Sequence, residues 1–342
     1  MKIWYLRGPW ATRKAKDKLK NLSFDDIKSI AIIRHGALGD MVLTRSFIIE
    51  ARKLFPNASI TISVISNYTR GVPEDLVDRV HIIHGTDQRG TPIMKRIKKI
   101  RELGYHDLIF DLAGGSRSFL TCMFTPALIK FGYPYRKIRA WMFYDVTTPR
   151  SDLNFEVNDM LSMLQALGAK TAYPHVYNMP GEALKRNKPY IIYFMGASEP
   201  YRCWPKANFH QVIKNISKQY PEYEHLILEG LKDWESADEI LKADAGKTNI
   251  QAITADTIEE TTSLLKGATL VVSNDTGIRH VAITCQTPTI GLFIGGPYRY
   301  WPRYDIHDAI FPSTENTVIS VDEVSTSCLT MLEKLQIRSG GK

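Results

Sequence analysis

Four short stretches of this chain combine small residues with a side chain able to move a proton or hold an anion. In RHGALGD, residues 34–40, Gly36 and Gly39 allow a tight backbone path and Asp40 falls at a helix-start position. A carboxylate there either caps its helix or takes a proton from a hydroxyl, and backbone donors that occupy it make it a poorer base. DLAGGSRS, residues 111–118, carries Gly114 and Gly115 ahead of Arg117. That guanidinium suits a sugar or phosphate oxygen as well as it suits open solvent. In MGASEPYRCWP, Gly196, Ala197 and Ser198 are small enough for backbone donors to approach a phosphate, with Arg202 as charge partner. VVSNDTGIRHVAI is the most informative: Asn274, Asp275, Thr276 and Gly277 turn into a helix whose exposed amides suit a pyrophosphate. His280 follows three residues past Gly277, on the first helical turn.

Other chemistries have less support. RHG matches a fragment of the histidine-phosphatase motif, with His35 as phosphoryl acceptor. That family needs a second histidine and further arginines around one pocket of a single domain, so His35 is read as a surface or supporting residue. No Walker lysine motif, G-x-G-x-x-G fingerprint, HExxH or HxxEH arrangement occurs. Their absence speaks against a nucleotide triphosphatase, a dinucleotide enzyme and a dedicated catalytic metal site.

The turns are positioned by strands. SIAIIRH, SITISVI, DRVHII and HDLIFDL are short, apolar and rich in β-branched residues, and helical patterns such as MVLTRSFIIEARKLFP and PIMKRIKKIRELG alternate with them. SDLNFEVNDMLSMLQALGA closes this half as a helix. A proline-bearing stretch from Tyr173 to Pro189 is the best linker, after which PYIIYFMGAS opens a second alternating series. It includes a helix from about Asn208 to Gln219, the strands EHLILEG, ATLVVSND and TPTIGLFIGG, and helical regions at DWESADEILK and Thr257 to Leu265. The fold class is therefore α/β, with two doubly wound, Rossmann-like parallel-sheet lobes. Domain boundaries fall at residues 1–178, with a basic lead-in at 1–27, and at 179–321. A terminal helix at 322–342 could pack back on the N-terminal domain. Ligands of such sheets bind outside the carboxyl ends of the strands, and here also in a cleft between the lobes.

The 342 residues are ample for two domains, and 44% hydrophobic with 23% charged residues describes an ordinary globular protein. No run approaches a membrane span, and the start lacks the continuous apolar stretch of a secretory signal. Cys122, Cys203, Cys285 and Cys328 lie far apart, which favours reduced thiols in a cytoplasm. The formal net charge of +8 is uneven: residues 1–178 hold 27 basic and 16 acidic side chains, the rest 17 and 20. A basic first lobe suits an anionic acceptor or membrane leaflet, with Arg89, Lys95, Arg96, Lys98, Lys99 and Arg101 as its main cluster. In the lead-in, Trp4, Tyr5 and Trp10 beside Arg7, Arg13 and Lys14 suit interfacial contact, and a flexible solubilising arm suits the same residues equally well. A nucleic-acid binder is the non-enzyme alternative. It would interleave basic and aromatic residues along one groove, whereas small-residue turns recur here after buried strands in both lobes.

Taken together, IRHGALGDMVLTRSF, DLAGGSRSFL, FMGASEPYRCWPKANF and VVSNDTGIRHVAITCQTPTIGLF resemble the lipopolysaccharide heptosyltransferases, glycosyltransferase family 9 of the two-lobed GT-B fold. The resemblance runs from about residue 29 to 305. It implies an inverting transfer of a heptose from ADP-L-glycero-β-D-manno-heptose to a phosphorylated glycolipid of the lipopolysaccharide inner core, with no obligatory metal or cofactor. It also implies a cytoplasmic enzyme, at the inner-membrane face of a Gram-negative bacterium, and no nucleic-acid partner. By position Asp40 corresponds to the family's general base. Gly196, Ala197, Ser198, Arg202, Asp275, Thr276, Gly277 and His280 fall in its donor site, and Arg34, Gly39 and Arg117 on its acceptor or phosphate side. A glutamate that meets the donor ribose is Glu229 or Glu235, with the spacing favouring Glu235. His35 and Gly36 replace a small-residue pair before LGD, and CQTP and GGPYRYWP also depart from the family pattern. These changes touch donor and acceptor edges, so another nucleotide-sugar donor is the alternative.

Overall fold

The structure is a computed structural model that describes residues 9–20, 22–134, 142–245, 249–295, 298–312 and 318–340. The chain divides into two compact units, Met1–Tyr177 and Asn178–Lys342. The division falls inside the proline-bearing linker.

The first unit is built on a six-stranded parallel sheet. Its strands are β1 (Ser29–Ile33), β2 (Ser59–Ile65), β3 (Arg79–Ile83), β4 (His106–Asp111), β5 (Ala127–Gly132) and β6 (Val146–Thr147), in the order β3-β2-β1-β4-β5-β6. Its helices are α1 (Arg13–Lys20), α2 (Leu38–Leu54), α3 (Ile93–Arg101), α4 (Ser116–Phe124) and α5 (Glu156–Gln165). β1 and β2 are buried along almost their whole length, as continuous β-branched runs covered on both faces must be. Phe110 on β4 anchors the packing, stacked on Phe131 with ring centres 4.7 Å apart and edge-on to Phe47 of α2 at 5.2 Å.

The second unit repeats the plan. β7 (Tyr190–Phe194), β8 (Glu224–Leu228), β9 (Ile250–Ile253), β10 (Leu270–Asn274), β11 (Thr289–Leu292) and β12 (His307–Ile310) lie in the order β12-β11-β10-β7-β8-β9. α6 (Lys206–Gln219), α7 (Asp238–Ala243), α8 (Ile258–Gly267), α9 (Gly277–Thr284) and α10 (Val321–Gly340) accompany them. In both units the first strand neighbours the fourth, which puts the reversal of strand order between β1 and β4 and between β7 and β10. Both sheets are thus doubly wound, as the alternating pattern predicts.

Three features depart from expectation. First, α10 sends Val324, Cys328, Met331 and Leu332 into the core of the second unit, beside Phe209 and Ile213. These residues recur at helical spacing, and that apolar stripe is satisfied within its own unit, a packing the sequence reading did not name. Second, the lead-in is tied down from Trp10 onward. Thr12 N donates to Asp145 O at 2.8 Å, Thr147 N donates to Trp10 O at 2.9 Å, and Lys18 Nζ reaches Leu128 O at 3.0 Å. Trp10 packs against the core cluster around Phe119 and Tyr144. Residues 10–12 are therefore an added edge on β6 that leads into α1, and not a free arm, while Trp4, Tyr5 and Arg7 lie outside the described residues. Third, β5, β6, β9 and β12 went unread in the sequence. β6, β9 and β12 flank or end their sheets and β5 is half-buried, so polar residues such as Lys130, Gln251 and Asp308 interrupt their apolar pattern.

Candidate functional site

In the first unit the turns after β1 and β4 leave from the two sides of the strand-order reversal, the place where open α/β sheets bind ligands. Asp40 is the third residue of α2. Its Oδ2 accepts the amide of Ala37 at 3.2 Å, and its Oδ1 lies 2.7 Å from Arg34 Nη2. The side chain keeps a quarter of its surface exposed. Capping and ion pairing thus coincide on the residue expected to act as base. A carboxylate in the first turn also meets the favourable end of the helix dipole.

Arg34 was expected to meet acceptor or phosphate. The structure puts it elsewhere: it is 2% exposed, and its guanidinium spans Asp40, the carbonyl of Leu112 at 2.5 Å and Glu156 Oε1 at 3.0 Å. Glu156, fully buried at the start of α5, is shared with Arg150, whose Nη2 lies 2.7 Å from Oε1. Arg150 also donates to Ala113 O at 3.3 Å and lies over the Tyr133 ring. Two cations and two anions thereby tie the turn after β1 to the turn after β4, each charge compensated by the next. Glu156 and Arg150 carry no local signal, because their partner Arg34 lies more than a hundred residues away.

The glycines have separate reasons. A Cβ on Gly36 would sit 2.5 Å from Asp40 Oδ2 and 2.6 Å from Asp40 Cβ, so any larger residue displaces the carboxylate. Gly114 takes a positive φ of 63°, which only glycine adopts without strain. Gly39 is buried in the first turn of α2. Arg117, half-buried in the first turn of α4, lines a groove between α3 and α4. His35 is half-buried: desolvation first, then the charges of Arg117 and His81, push its pKa down to about 3, so the ring is neutral. Its Nε2 lies 3.5 Å from Ser63 Oγ, and its Nδ1 has no hydrogen-bond partner among the described residues.

In the second unit the same reversal gathers the other two turns. Asn274, at the end of β10, donates to Met195 O at 2.7 Å and Gly196 O at 3.2 Å, and its Oδ1 accepts the amide of Trp204 at 3.0 Å. One buried amide side chain thus fixes the Gly196–Ser198 turn against Asp275–Gly277. Trp204 is buried and donates its indole N–H to Ile319 O at 3.0 Å, which makes it a packing residue. Arg202 donates to Ser198 Oγ at 3.2 Å and reaches Asp275 Oδ2 at 3.7 Å.

Asp275 is the hub. Burial alone would raise its pKa, but the His280 contact and the Arg279 charge outweigh it and hold the carboxyl down at about 2. Arg279 Nη2 lies 3.2 Å from Asp275 Oδ1 and 2.6 Å from Tyr300 O, with its guanidinium over the Phe293 ring. Arg279 has no exposed surface, and its Nε and Nη1 lack hydrogen-bond partners among the described residues. The sequence marks Arg279, with Ile278, as a departure from the family pattern and gives it no role, although its spacing of four from Asp275 on a helix was the available signal. His280 packs on Tyr300, and its Nε2 lies 3.6 Å from Asp275 Oδ1, too far for a hydrogen bond. Both ring nitrogens of His280 and the hydroxyl of Thr276 are enclosed and without hydrogen-bond partners among the described residues. Such atoms cost about 1–3 kcal/mol each when nothing meets them. Three of them beside the first turn of α9, where backbone amides point outward, make that turn a candidate receptor for an anion.

Glu235 is held beneath the neighbouring turn. A Cβ on Gly196 would lie 2.6 Å from its Oε1, and one on Gly230 would lie 1.9 Å from its Oε2. Glu229 instead accepts the amide of Ala237 at 2.7 Å. Lys232 Nζ donates to Ser198 O at 2.8 Å and Trp234 Nε1 to Ala197 O at 3.3 Å, two supports the sequence did not indicate. No group of three or more His, Cys, Asp or Glu able to hold a metal ion occurs among the described residues.

Two doubly wound parallel lobes of one plan define an α/β protein of the GT-B type, and known structures share that architecture. The chain aligns with E. coli heptosyltransferase WaaC, solved with ADP-2-deoxy-2-fluoro heptose, at a TM-score of 0.71 and 18% identity. That alignment covers 88% of this chain and 99% of WaaC. A family 9 glycosyltransferase from Veillonella parvula DSM 2008 gives the same score and identity over 92% of this chain and 99% of its own. In sequence the chain is 23% identical to lipopolysaccharide heptosyltransferase 1 of Campylobacter coli over 338 residues, 90% of this chain and 96% of that one. The model of glycosyltransferase family 9 (heptosyltransferase) matches residues 93–331. This chain belongs to glycosyltransferase family 9, the heptosyltransferases, and is a glycosyltransferase.

Proposed function

We propose that the enzyme moves a heptose from ADP-L-glycero-β-D-manno-heptose to a lipopolysaccharide inner-core or related glycan acceptor, with inversion at the anomeric carbon. The observation that carries this reading is the set of enclosed, unsatisfied polar atoms on Thr276, Arg279 and His280 beside the Gly196–Ser198 turn. They suit a diphosphate. The ADP moiety is supported by the nucleotide in the WaaC structures, which were solved with ADP and with an ADP-heptose analogue.

In this reading the acceptor oxygen attacks the anomeric carbon as the bond from that carbon to the diphosphate oxygen breaks. Asp40 takes the hydroxyl proton, and Arg34 holds its carboxylate in place. The α9 amides at Thr276 and Gly277, with Arg202 and His280, take up the charge that grows on the leaving ADP. Ala197 and Ser198 line the phosphate side, and Glu235 meets the ribose. No metal or cofactor takes part. Arg117 faces the acceptor, a phosphorylated glycolipid met at the cytoplasmic face of the inner membrane, and the buried Gly39 shapes the turn on that side. No helix among the described residues is long and apolar enough to cross a membrane.

The test is calorimetric binding of ADP-, UDP- and GDP-linked sugars, followed by transfer to truncated core acceptors. Binding of ADP-heptose with formation of a heptosylated product is expected. Selective binding of a UDP- or GDP-sugar would overturn the donor assignment and leave a glycosyltransferase of the same fold with another donor.

A further inference from the structure

We propose that the face formed by α3 and α4 docks on an anionic lipid bilayer, the groove between the helices taking one acyl chain and the surrounding basic side chains holding headgroup phosphates. The proposal names the surface through which the enzyme would reach a lipid-linked acceptor. It rests on the functional reading above only for that acceptor.

The groove measures about 260 Å³ and is walled by Ile83, Ile93, Ile97, Ile100, Leu120 and Phe124. Aliphatic side chains on both walls suit a flexible hydrocarbon. The groove is open to water along apolar residues: of its walls Ile93 is 62% exposed and Leu120 41%, and on the same two helices Met94 is 71% and Met123 44% exposed. Large apolar side chains left in water together on one face, with polar residues around them, mark an interaction surface.

Charge selects the occupant. Between residues 89 and 102 there are six basic side chains and one acid, and that acid, Glu102, already pairs with Lys99 at 2.7 Å. Lys95, Lys98 and Arg101 are exposed. Arg96 bonds back to the carbonyl of Arg89, which fixes its head beside the groove, and Arg117 closes the groove at the first turn of α4. Basic residues around exposed aliphatic ones are the composition of a surface that lies on anionic headgroups. A nucleic acid would call for aromatic platforms, and Phe124 is the one aromatic in the groove wall.

The experiment is co-sedimentation of the full-length protein with vesicles of phosphatidylcholine alone or mixed with phosphatidylglycerol, at low and high salt. Binding to the mixed vesicles alone, weakened by salt, is expected. Ile93→Ser with Met94→Ser, and separately Lys95→Glu with Lys98→Glu, should each lower the partition coefficient about tenfold. All four side chains are exposed, so the fold and nucleotide-sugar binding should be retained. Leu120→Lys separates the groove from charge alone: it adds a cation, yet should weaken binding, because it places an ammonium where the chain would lie. Equal binding to neutral vesicles, indifference to these substitutions, or tighter binding by Leu120→Lys would overturn the proposal. So would a concentration-dependent dimer lost in the Ile93/Met94 variant, since a second copy would then own this face. None of these readings uses the donor, so failure here is distinct from failure of the heptosyl-transfer reading.

Discussion

Arg34 Nη2 lies 2.7 Å from Asp40 Oδ1, and the same guanidinium reaches the buried Glu156 at 3.0 Å. The exposed end of this chain of charges is a carboxylate at the start of α2, and the buried end is anchored by Arg150. Because Asp40 is short and lies directly against Gly36, the ion pair and the glycine together leave its carboxylate little freedom to move. Such preorganisation is what a proton acceptor requires.

Asp40→Asn preserves shape and removes the proton acceptor. Turnover is expected to fall about 10²- to 10⁴-fold, the usual contribution of a positioned general base. The nucleotide-sugar dissociation constant should stay within about twofold, since the proposed anion receptor belongs to the second unit. Single-turnover kinetics alongside calorimetry checks both, and unchanged turnover would remove Asp40 from the chemistry.

Gly36→Ala should lower kcat without abolishing folding. The new methyl overlaps the Asp40 carboxylate, which must rotate away from Arg34. A drop in kcat of about tenfold or more, with a stability loss of about 1–3 kcal/mol from overpacking, is expected in steady-state assays and urea unfolding. A fully active variant would show that the carboxylate geometry does not matter.

His280→Ala should separate ligand binding from stability. Its ring nitrogens hold no hydrogen bond within the described residues, so the fold loses chiefly the contact with Tyr300 and the electrostatic support of Asp275. A diphosphate would lose a hydrogen bond to a charged group, about 1.5–3 kcal/mol, or roughly tenfold or more in ADP affinity. Calorimetry of ADP with wild type and variant provides the comparison, and equal affinities would take His280 out of the anion receptor.

His307 predicts part of the acid sensitivity. Its pKa is driven from 6.5 to about 3, by burial and then by the charge of Arg279, while Nδ1 meets Thr289 Oγ1 at 3.0 Å. A base with a depressed folded-state pKa binds its proton first in the unfolded chain. Stability is therefore unaffected well above pH 6.5 and is lost as pH falls from 6.5 toward 3. Between pH 7 and pH 5 this one group accounts for about 2 kcal/mol of the loss. Urea midpoints for His307→Gln should show a decline smaller by about that amount, and an identical pH slope would refute the assignment.

What the sequence determined by itself was the alternation of buried strands with helices, the two lobes, and the four turns that carry Asp40, Arg117, Arg202 and Asp275. These are local properties: β-branched runs, small residues after them and polar side chains at fixed offsets are visible in any window of a dozen residues. The tertiary structure alone decided what those side chains touch. It turned Arg34 from an expected ligand contact into the brace behind Asp40, because Glu156 and Leu112 reach it only once β1, β4 and α5 are assembled. It buried Arg279 against Asp275 and Phe293, separated Glu235 from Glu229 by the two glycines that leave it room, and packed α10 into its own unit. The same assembly set two short helices side by side and left a groove of aliphatic side chains between basic ones. Charge compensation and close packing join Arg34 to Glu156, and Cys328 to Phe209, across more than a hundred positions, so no local window of the sequence contains those pairs.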